Sequence, residues 1–167
     1  WMAGRKIQST FPRQKDYVRE VLYSMSSMII FATVAYVVVF GLKQYNHLVF
    51  GSLTAFEWWQ HLLGFVWMFL LHDAYFYAIH RLMHHPFLFK KIHLVHHQST
   101  NPSPWTAYSF HPLEALLEAG IIPLIAFSFP VHILNFSLFM LFQILYNIYG
   151  HLGYELFSRK LPYSIAG

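Results

Sequence analysis

Four runs of apolar residues with few charges set the plan of this chain. Residues 21–42, VLYSMSSMIIFATVAYVVVFGL, contain no charged side chain. About 20 consecutive apolar residues cross a bilayer as a helix, so this run predicts a first span. A second is predicted over residues 57–79. It opens on Trp58 and Trp59, which suit a membrane–water aromatic belt, and carries His72 and Asp73 towards its other end. Residues 113–129 and 131–149 are two further apolar segments with Pro130 between them, the pattern of a hairpin of spans. Pro123 predicts a kink in the first of these. An alternative is that the two segments enter and return without crossing. Between the second and third runs, His80 to about Pro112 reads as a polar loop, in which Pro102 and Pro104 argue against a continuous helix. The expected fold is an all-α integral membrane helical bundle with about four transmembrane segments. Residues 1–20 form a basic N-terminal segment and residues 21–167 the membrane-embedded domain.

The basic residues orient this bundle. Four spans put the N-terminus, the His80–Pro112 loop and the C-terminus on one side, which then holds ten of the eleven Lys and Arg residues. Only Lys43 falls on the other side, in a loop over residues 43–56. Positive charge concentrates on cytoplasmic loops, so the histidine-rich side is expected to face the cytosol.

Composition agrees: the chain is 56% hydrophobic and only 11% charged, where soluble domains carry about 25% charge. There is no cysteine, which removes disulfides and thiolate metal sites. The basic residues flank apolar runs rather than forming a stripe on a soluble domain, so a nucleic-acid partner is not expected. About twenty polar and basic residues precede the first apolar run, too many for a cleavable signal peptide.

The chemistry concentrates in His80 to His97, HRLMHHPFLFKKIHLVHH, with six of the twelve histidines. His80 and His84 form an HxxxH pair, and His93, His96 and His97 an HxxHH group. Residues at i, i+3 and i+4 share a helix face, so each group can converge on a metal, for which neutral imidazole is a common ligand. His85 points about 100° away from His84 on a helix and suits a supporting or surface place. Asp73, Tyr77, His80 and His84 fall on one helical stripe. Asp73 therefore either orients a ligating imidazole by accepting its second N–H or makes a structural contact with Tyr77 or Arg81. A zinc protease would show HExxH and a ferritin-like site Glu-x-x-His; neither occurs. Five imidazoles exceed one tetrahedral zinc and suit a nitrogen-rich two-metal centre, with iron a reasonable choice. A membrane di-haem protein would need histidines facing each other at depth, and His61, His72 and His132 show no such spacing.

The string DAYFYAIHRLMHH (73–85), followed by KKIHLVHHQST (90–100), FHPLE (110–114) and NIYGHLGYEL (147–156), resembles the fatty acid hydroxylase and sterol desaturase superfamily. The resemblance implies membrane proteins with a histidine-bound pair of irons on the cytosolic side, which use O2 and two electrons to hydroxylate or desaturate lipid C–H bonds. By position it implies His80, His84, His93, His96, His97 and His151 as metal ligands; Asp73, His85, His111 and His72 are expected beside them as supporting residues or further ligands. The family's third histidine box, another HxxHH beyond a GYEL-like stretch, does not occur before Gly167, so the domain is expected to be C-terminally incomplete. Electrons would come from an external donor such as a cytochrome b5-like or ferredoxin-like protein, because no GxGxxG motif is present. Lys90 and Lys91 would favour its docking. The membrane expected is a bacterial inner membrane or the endoplasmic reticulum, the compact layout leaning towards the former. The competing expectation is a non-enzymatic metal-binding or transport protein, which would place ligands at mid-membrane; only His61, His72 and His132 qualify.

Overall fold

The computed structural model describes residues 5–41, 49–50 and 56–155. Lys43, most of the loop around it, and Arg159 and Lys160 lie outside the described residues. Helix α1 (Gln14–Tyr36) starts behind Pro12 and Arg13, with Asp16 in its first turn bonded to Arg13 at 2.7 Å. A carboxylate there complements the helix dipole. It continues as a π-helical turn, Val37–Gly41. Helix α2 (Trp58–Met83) is fixed at its start by the Glu57 N–H donating to Gln60 Oε1 at 2.7 Å. Helix α7 (Ile133–Gly150) is capped by His132, whose Nδ1 accepts from Leu134 N–H at 3.1 Å.

Among the described residues these three helices, counting α1 with its π turn, are long and apolar enough to cross a membrane. Fewer than one in five residues of each spanning window is buried inside the protein. Leu62, Leu63, Val66 and Leu70 of α2 and Leu138, Leu141, Phe142 and Leu145 of α7 are exposed. That much apolar surface needs a lipid or protein cover.

The expected third span takes a different form. Residues 113–129 fold as two short helices, α5 (Pro112–Ala119) and α6 (Ile121–Ser128). Pro123 has no N–H for the Ala119 carbonyl, which weakens the helix at this point. The Tyr75 hydroxyl donates to the Leu117 carbonyl at 2.6 Å, and the Gly120 N–H reaches the same carbonyl at 3.1 Å. A Cβ on Gly120 would collide with Tyr75 Oη, so a larger residue there would force the Tyr75 side chain to move. The pair still runs the length of the bundle. Glu114 of α5 lies beside His93, and Val131 and His132 beyond α6 pair with Val49 and Phe50 at the opposite end, in a two-residue parallel ladder.

The expected polar loop after His80 is mostly helical. Helix α2 runs on to Met83 and takes His80 with it. After a turn at His84 and His85, where His85 leaves the helical conformation, Pro86–Leu88 (α3), a π-helical turn Phe89–His93 and Leu94–His97 (α4) run on from one another, and Pro104–Tyr108 forms a 3-10 turn. The apolar core, with Met68, Ile122, Ile125 and Phe139 fully buried, joins α2, α6 and α7. Near the histidine end the buried residues of α1 turn polar: Glu20, which accepts from Ser103 Oγ at 2.6 Å, Ser24 and Ser27. The N-terminal segment crosses this end, with Ile7 N–H on the Gly153 carbonyl and Lys6 on Asn101.

Candidate metal centre

The turn at His84 and His85, between α2 and α3, brings the two histidine groups together. His80 sits in the last turn of α2 and His84 at its C-cap. Their Nε2 atoms face each other at 3.1 Å. Across from them, His93 closes the π-helical turn and His97 ends α4, with Nε2 atoms 3.0 Å apart. The π turn adds a residue to the helical repeat just where the HxxHH group begins, a distortion common at functional sites. One nitrogen from each of His80, His84 and His93 lies within 4.8 Å of the others. The His84 and His97 rings are 5.1 Å apart, so four imidazoles share one pocket. His96 turns away from it towards His151, 5.5 Å distant, and lies 5.9 Å from His93.

Hydrogen bonds set the tautomers of two of these rings. His151 lies at the C-cap of α7 and its Nδ1–H donates to the Asn147 carbonyl at 2.8 Å, which leaves Nε2 with a free lone pair. His93 Nδ1 lies 2.7 Å from Glu114 Oε1, each side chain being 1% exposed. When Nδ1–H donates there, Nε2 is the ligating atom. Burial pushes His96 down to about 3 and lowers His93 and His97, the neighbouring imidazoles adding to the effect for His96 and His97. These rings are therefore neutral at pH 7, the form that binds metal.

The donor set fits a metal. Nitrogen lone pairs crowd within hydrogen-bond distance of one another. Two buried atoms at the centre, His96 Nδ1 and Glu114 Oε2, have no hydrogen-bond partner among the described residues. Buried polar atoms are normally satisfied, so this end is built to receive something.

The remaining expected residues are placed differently. Asp73 does not orient a ligand: its side chain is 86% exposed, and its nearest partner is His72 Nδ1 at 3.9 Å. The stripe is right but faces outwards there, and Tyr77 pairs with Arg81 at 2.7 Å instead. The carboxylate that meets an imidazole is Glu114, 2.7 Å from His93, which enters from another helix and which spacing along α2 could not reveal. His111 caps α5, its Nδ1 accepting from Leu113 N–H at 3.3 Å; it thereby starts the helix that carries Glu114. His85 is exposed ahead of α3. His72 lies two turns below His80, with Phe76 stacked between them. At the opposite end His61 and His132 do meet, 5.6 Å apart. Yet His132 Nδ1 accepts a backbone N–H, so Nε2 carries the proton and has no lone pair for a metal.

Beneath the histidines lies a cavity of about 290 Å3. Phe76, stacked on His80, and Phe110, 5.2 Å from His96, form its wall towards the centre. Phe31, Ile121 and Met140 add apolar surface; His72, Glu118, Gln143, Asn147, Tyr108 and Tyr146 add polar atoms, and the exposed Asp73 stands at its rim.

The family model for fatty acid hydroxylase matches residues 65–166. A fatty acid hydroxylase domain-containing protein 2 from Macaca fascicularis is 31% identical over 146 residues, 85% of this chain and 42% of its own length. The lathosterol oxidase of Mus musculus is 37% identical over 75 residues, 44% of this chain and 25% of its own. A Delta(7)-sterol 5(6)-desaturase of Aspergillus fumigatus is 36% identical over 73 residues, 43% of this chain and 22% of its own. The chain thus spans well under half the length of these relatives. No solved structure matches.

Proposed function

The chain belongs to the fatty acid hydroxylase family, and on that premise we propose that it is the membrane domain of an O2-dependent oxidoreductase that hydroxylates or desaturates a lipid. The observation that carries the reading is the convergence of the His80, His84, His93 and His97 rings directly above an apolar cavity. These four would hold one iron, and His96 and His151 would contribute to a second. When bound, the iron pair supplies O2 activation. Hydroxylation consumes the C–H bond, O2, two electrons and two protons and yields an alcohol and water; desaturation yields an alkene and two waters.

The protein's own groups provide the setting. Glu114 holds the His93 ring in one tautomer, and the Asn147 carbonyl does the same for His151. Phe76 and Phe110 keep bulk water from the histidines on the cavity side and leave a hydrocarbon in contact with them. The exposed apolar faces of α1, α2 and α7 lie in the bilayer, in reach of a lipid arriving laterally. The histidine end lies at the cytosolic surface, where Lys6, Arg13, Arg19, Lys90 and Lys91 favour an acidic one-electron donor.

The test is O2-dependent conversion of a defined sterol and of a long-chain fatty acid by the full-length protein, iron-loaded in nanodiscs, with a chemical reductant. Loss of conversion in both His80→Ala and His96→Ala is expected. Conversion that survives both substitutions refutes the reading.

A further inference from the structure

A second cavity lies at the histidine end and shares no lining residue with the one beneath the rings. It encloses about 250 Å3 between the start of α1, Thr10 to Glu20, and the turn that follows α4, Gln98 to Asn101. Most of its polar groups are already engaged. Both Asp16 oxygens are taken, by Arg13 Nε at 2.7 Å and by Arg19 at 3.1 Å. Ser99 Oγ accepts from Arg19, and Asn101 accepts from Lys6 and donates to the Thr10 carbonyl. Two charged side chains keep free atoms. Glu20 is 0% exposed; Ser103 donates to its Oε2, but Oε1 has no hydrogen-bond partner among the described residues, and the nearest cation, Arg19, is 4.0 Å away and paired with Asp16. Arg19 Nε is likewise buried and unpartnered, but Arg19 does not line the cavity. Arg13, whose side chain is 72% exposed, is bonded only through Nε and keeps both terminal nitrogens for a ligand. The cavity therefore offers an acceptor at its base and a cation at its mouth. It opens where α1 enters its membrane-spanning window. Beside it Tyr17 and Trp105, both exposed, are joined at 3.0 Å, and such aromatic residues mark the membrane–water interface.

We propose that this cavity binds the headgroup of a bilayer phospholipid that carries a primary ammonium, with the phosphate on Arg13 and the ammonium on Glu20 Oε1. A buried oxygen without a donor is costly, and a primary ammonium brings three N–H donors. A quaternary ammonium has the same charge and no N–H, so it leaves Oε1 unmatched. An anionic head without an amine satisfies Arg13 and gives Glu20 nothing to accept. The bound lipid fastens α1 to the residues that directly follow His96 and His97, and it is distinct from any molecule in the cavity beneath the histidines. The proposal does not depend on the lipid-oxidising reading of the centre, and its test involves no turnover.

The experiment measures binding to the full-length protein in detergent by native mass spectrometry. The lipids are phosphatidylethanolamine, its N-methyl and N,N-dimethyl derivatives, phosphatidylcholine and phosphatidylglycerol, all with the same acyl chains. Removing the last N–H, in the step to phosphatidylcholine, should weaken binding by on the order of tenfold, the worth of one hydrogen bond to a charged group. This series needs no variant. Arg13→Ala should weaken phosphatidylethanolamine and phosphatidylcholine alike, whereas Glu20→Gln should narrow the gap between them; circular dichroism and metal content are measured on each. Because a ligand of the folded state raises stability, the wild type should also unfold at a higher temperature in nanodiscs containing phosphatidylethanolamine than in phosphatidylcholine alone, and Arg13→Ala should lose that gain. Equal binding of the two lipids, tighter binding of phosphatidylglycerol, or a full preference retained by folded Glu20→Gln overturns the proposal. Displacement of the lipid by an equal concentration of soluble phosphoethanolamine overturns it as well, since the ligand would then be a free metabolite and not a bilayer lipid.

Discussion

The Glu114 carboxylate offers the sharpest test of the centre. His93 is the most enclosed of the imidazoles, and its Nδ1 has one acceptor, Glu114 Oε1 at 2.7 Å. A ring that ligates through Nε2 needs that acceptor to hold both tautomer and orientation. Losing such a partner typically weakens metal affinity by about 10–100-fold, or about 1.4–2.8 kcal/mol at 1.4 kcal/mol per decade. The two useful substitutions fall at different ends of this range. Glu114→Gln keeps a carbonyl acceptor and loses the negative charge, so about tenfold is expected. Glu114→Ala leaves Nδ1–H buried with nothing to bond; about a hundredfold loss is expected, together with about 1–3 kcal/mol of stability for the unsatisfied group. The assay is competition between the full-length protein in detergent and a chromophoric chelator for Fe2+ or Zn2+. Thermal unfolding of the metal-free variants separates folding from affinity. Wild-type affinity in a folded Glu114→Ala protein would refute the reasoning, because His93 would then need no partner to present its nitrogen.

Further outcomes follow from other parts of the molecule. His96 is held to about 3 by burial, against about 6.5 in an unfolded chain. A group whose protonation is suppressed by folding stabilises the fold above the unfolded value, so the metal-free protein should lose stability as pH falls from 6.5 towards 3. Unfolding temperatures at pH 7, 5.5 and 4 check this, and a flat profile contradicts it. Gly120→Ala drives a Cβ into Tyr75 Oη, an overpacking expected to cost about 1–3 kcal/mol. Tyr75→Phe should relieve part of that cost in the double variant, and strict additivity in denaturation would speak against the contact. Ser103→Ala removes the donor at 2.6 Å from the fully buried Glu20; about 1–3 kcal/mol of stability should go, measured the same way. His85→Ala should bind metal like wild type while His97→Ala should not; a matched loss in both would place His85 at the centre.

Run length and helical period carried most of the plan, and contacts between distant segments carried what they missed. The apolar runs near 21–42, 57–79 and 131–149 are helices because burial in lipid needs no partner segment to be read. The segment 113–129 is different. Pro123 announces a kink, but the hydroxyl that takes up the Leu117 carbonyl belongs to Tyr75, 42 residues earlier. His80 with His84 and His93 with His97 converge as the i, i+4 rule requires, whereas His96 faces His151 instead. The helical segments past His80, and the π turn at Phe89–His93, were hidden because the sequence there looks polar and proline-flanked. A carboxylate does stand hydrogen-bonded to an imidazole, but it is Glu114 on His93, while Asp73 is exposed and 3.9 Å from His72. Asp73 shares a stripe with His80, but His80 and Asp73 are two turns apart, which is enough to leave the carboxylate outside. Glu114 stands 21 residues beyond His93, brought in by a helix that His111 and Pro112 start.

That helix also explains why a broken third pass suits this fold. A continuous helix over 112–128 would keep one face towards the core throughout. With a break at Gly120, α5 and α6 can face different partners. Helix α6 packs Ile122, Ile125 and Ala126 into the apolar core against α2 and α7. Helix α5 is freed to turn Glu114 towards His93 and Glu118 into the cavity one turn below. Tyr75 couples the two halves to α2, the helix that supplies His80 and His84. A single substitution at Gly120 should therefore act at two places besides stability: it should move the Glu114 contact that orients His93, and with it metal affinity, and the position of Glu118 relative to the histidines. A Gly120→Ala protein that folds yet binds metal like wild type would show that α5 is positioned by its cap at His111 alone. A loss of metal affinity in the folded variant would show that the packing of Gly120 on Tyr75 holds Glu114 against His93.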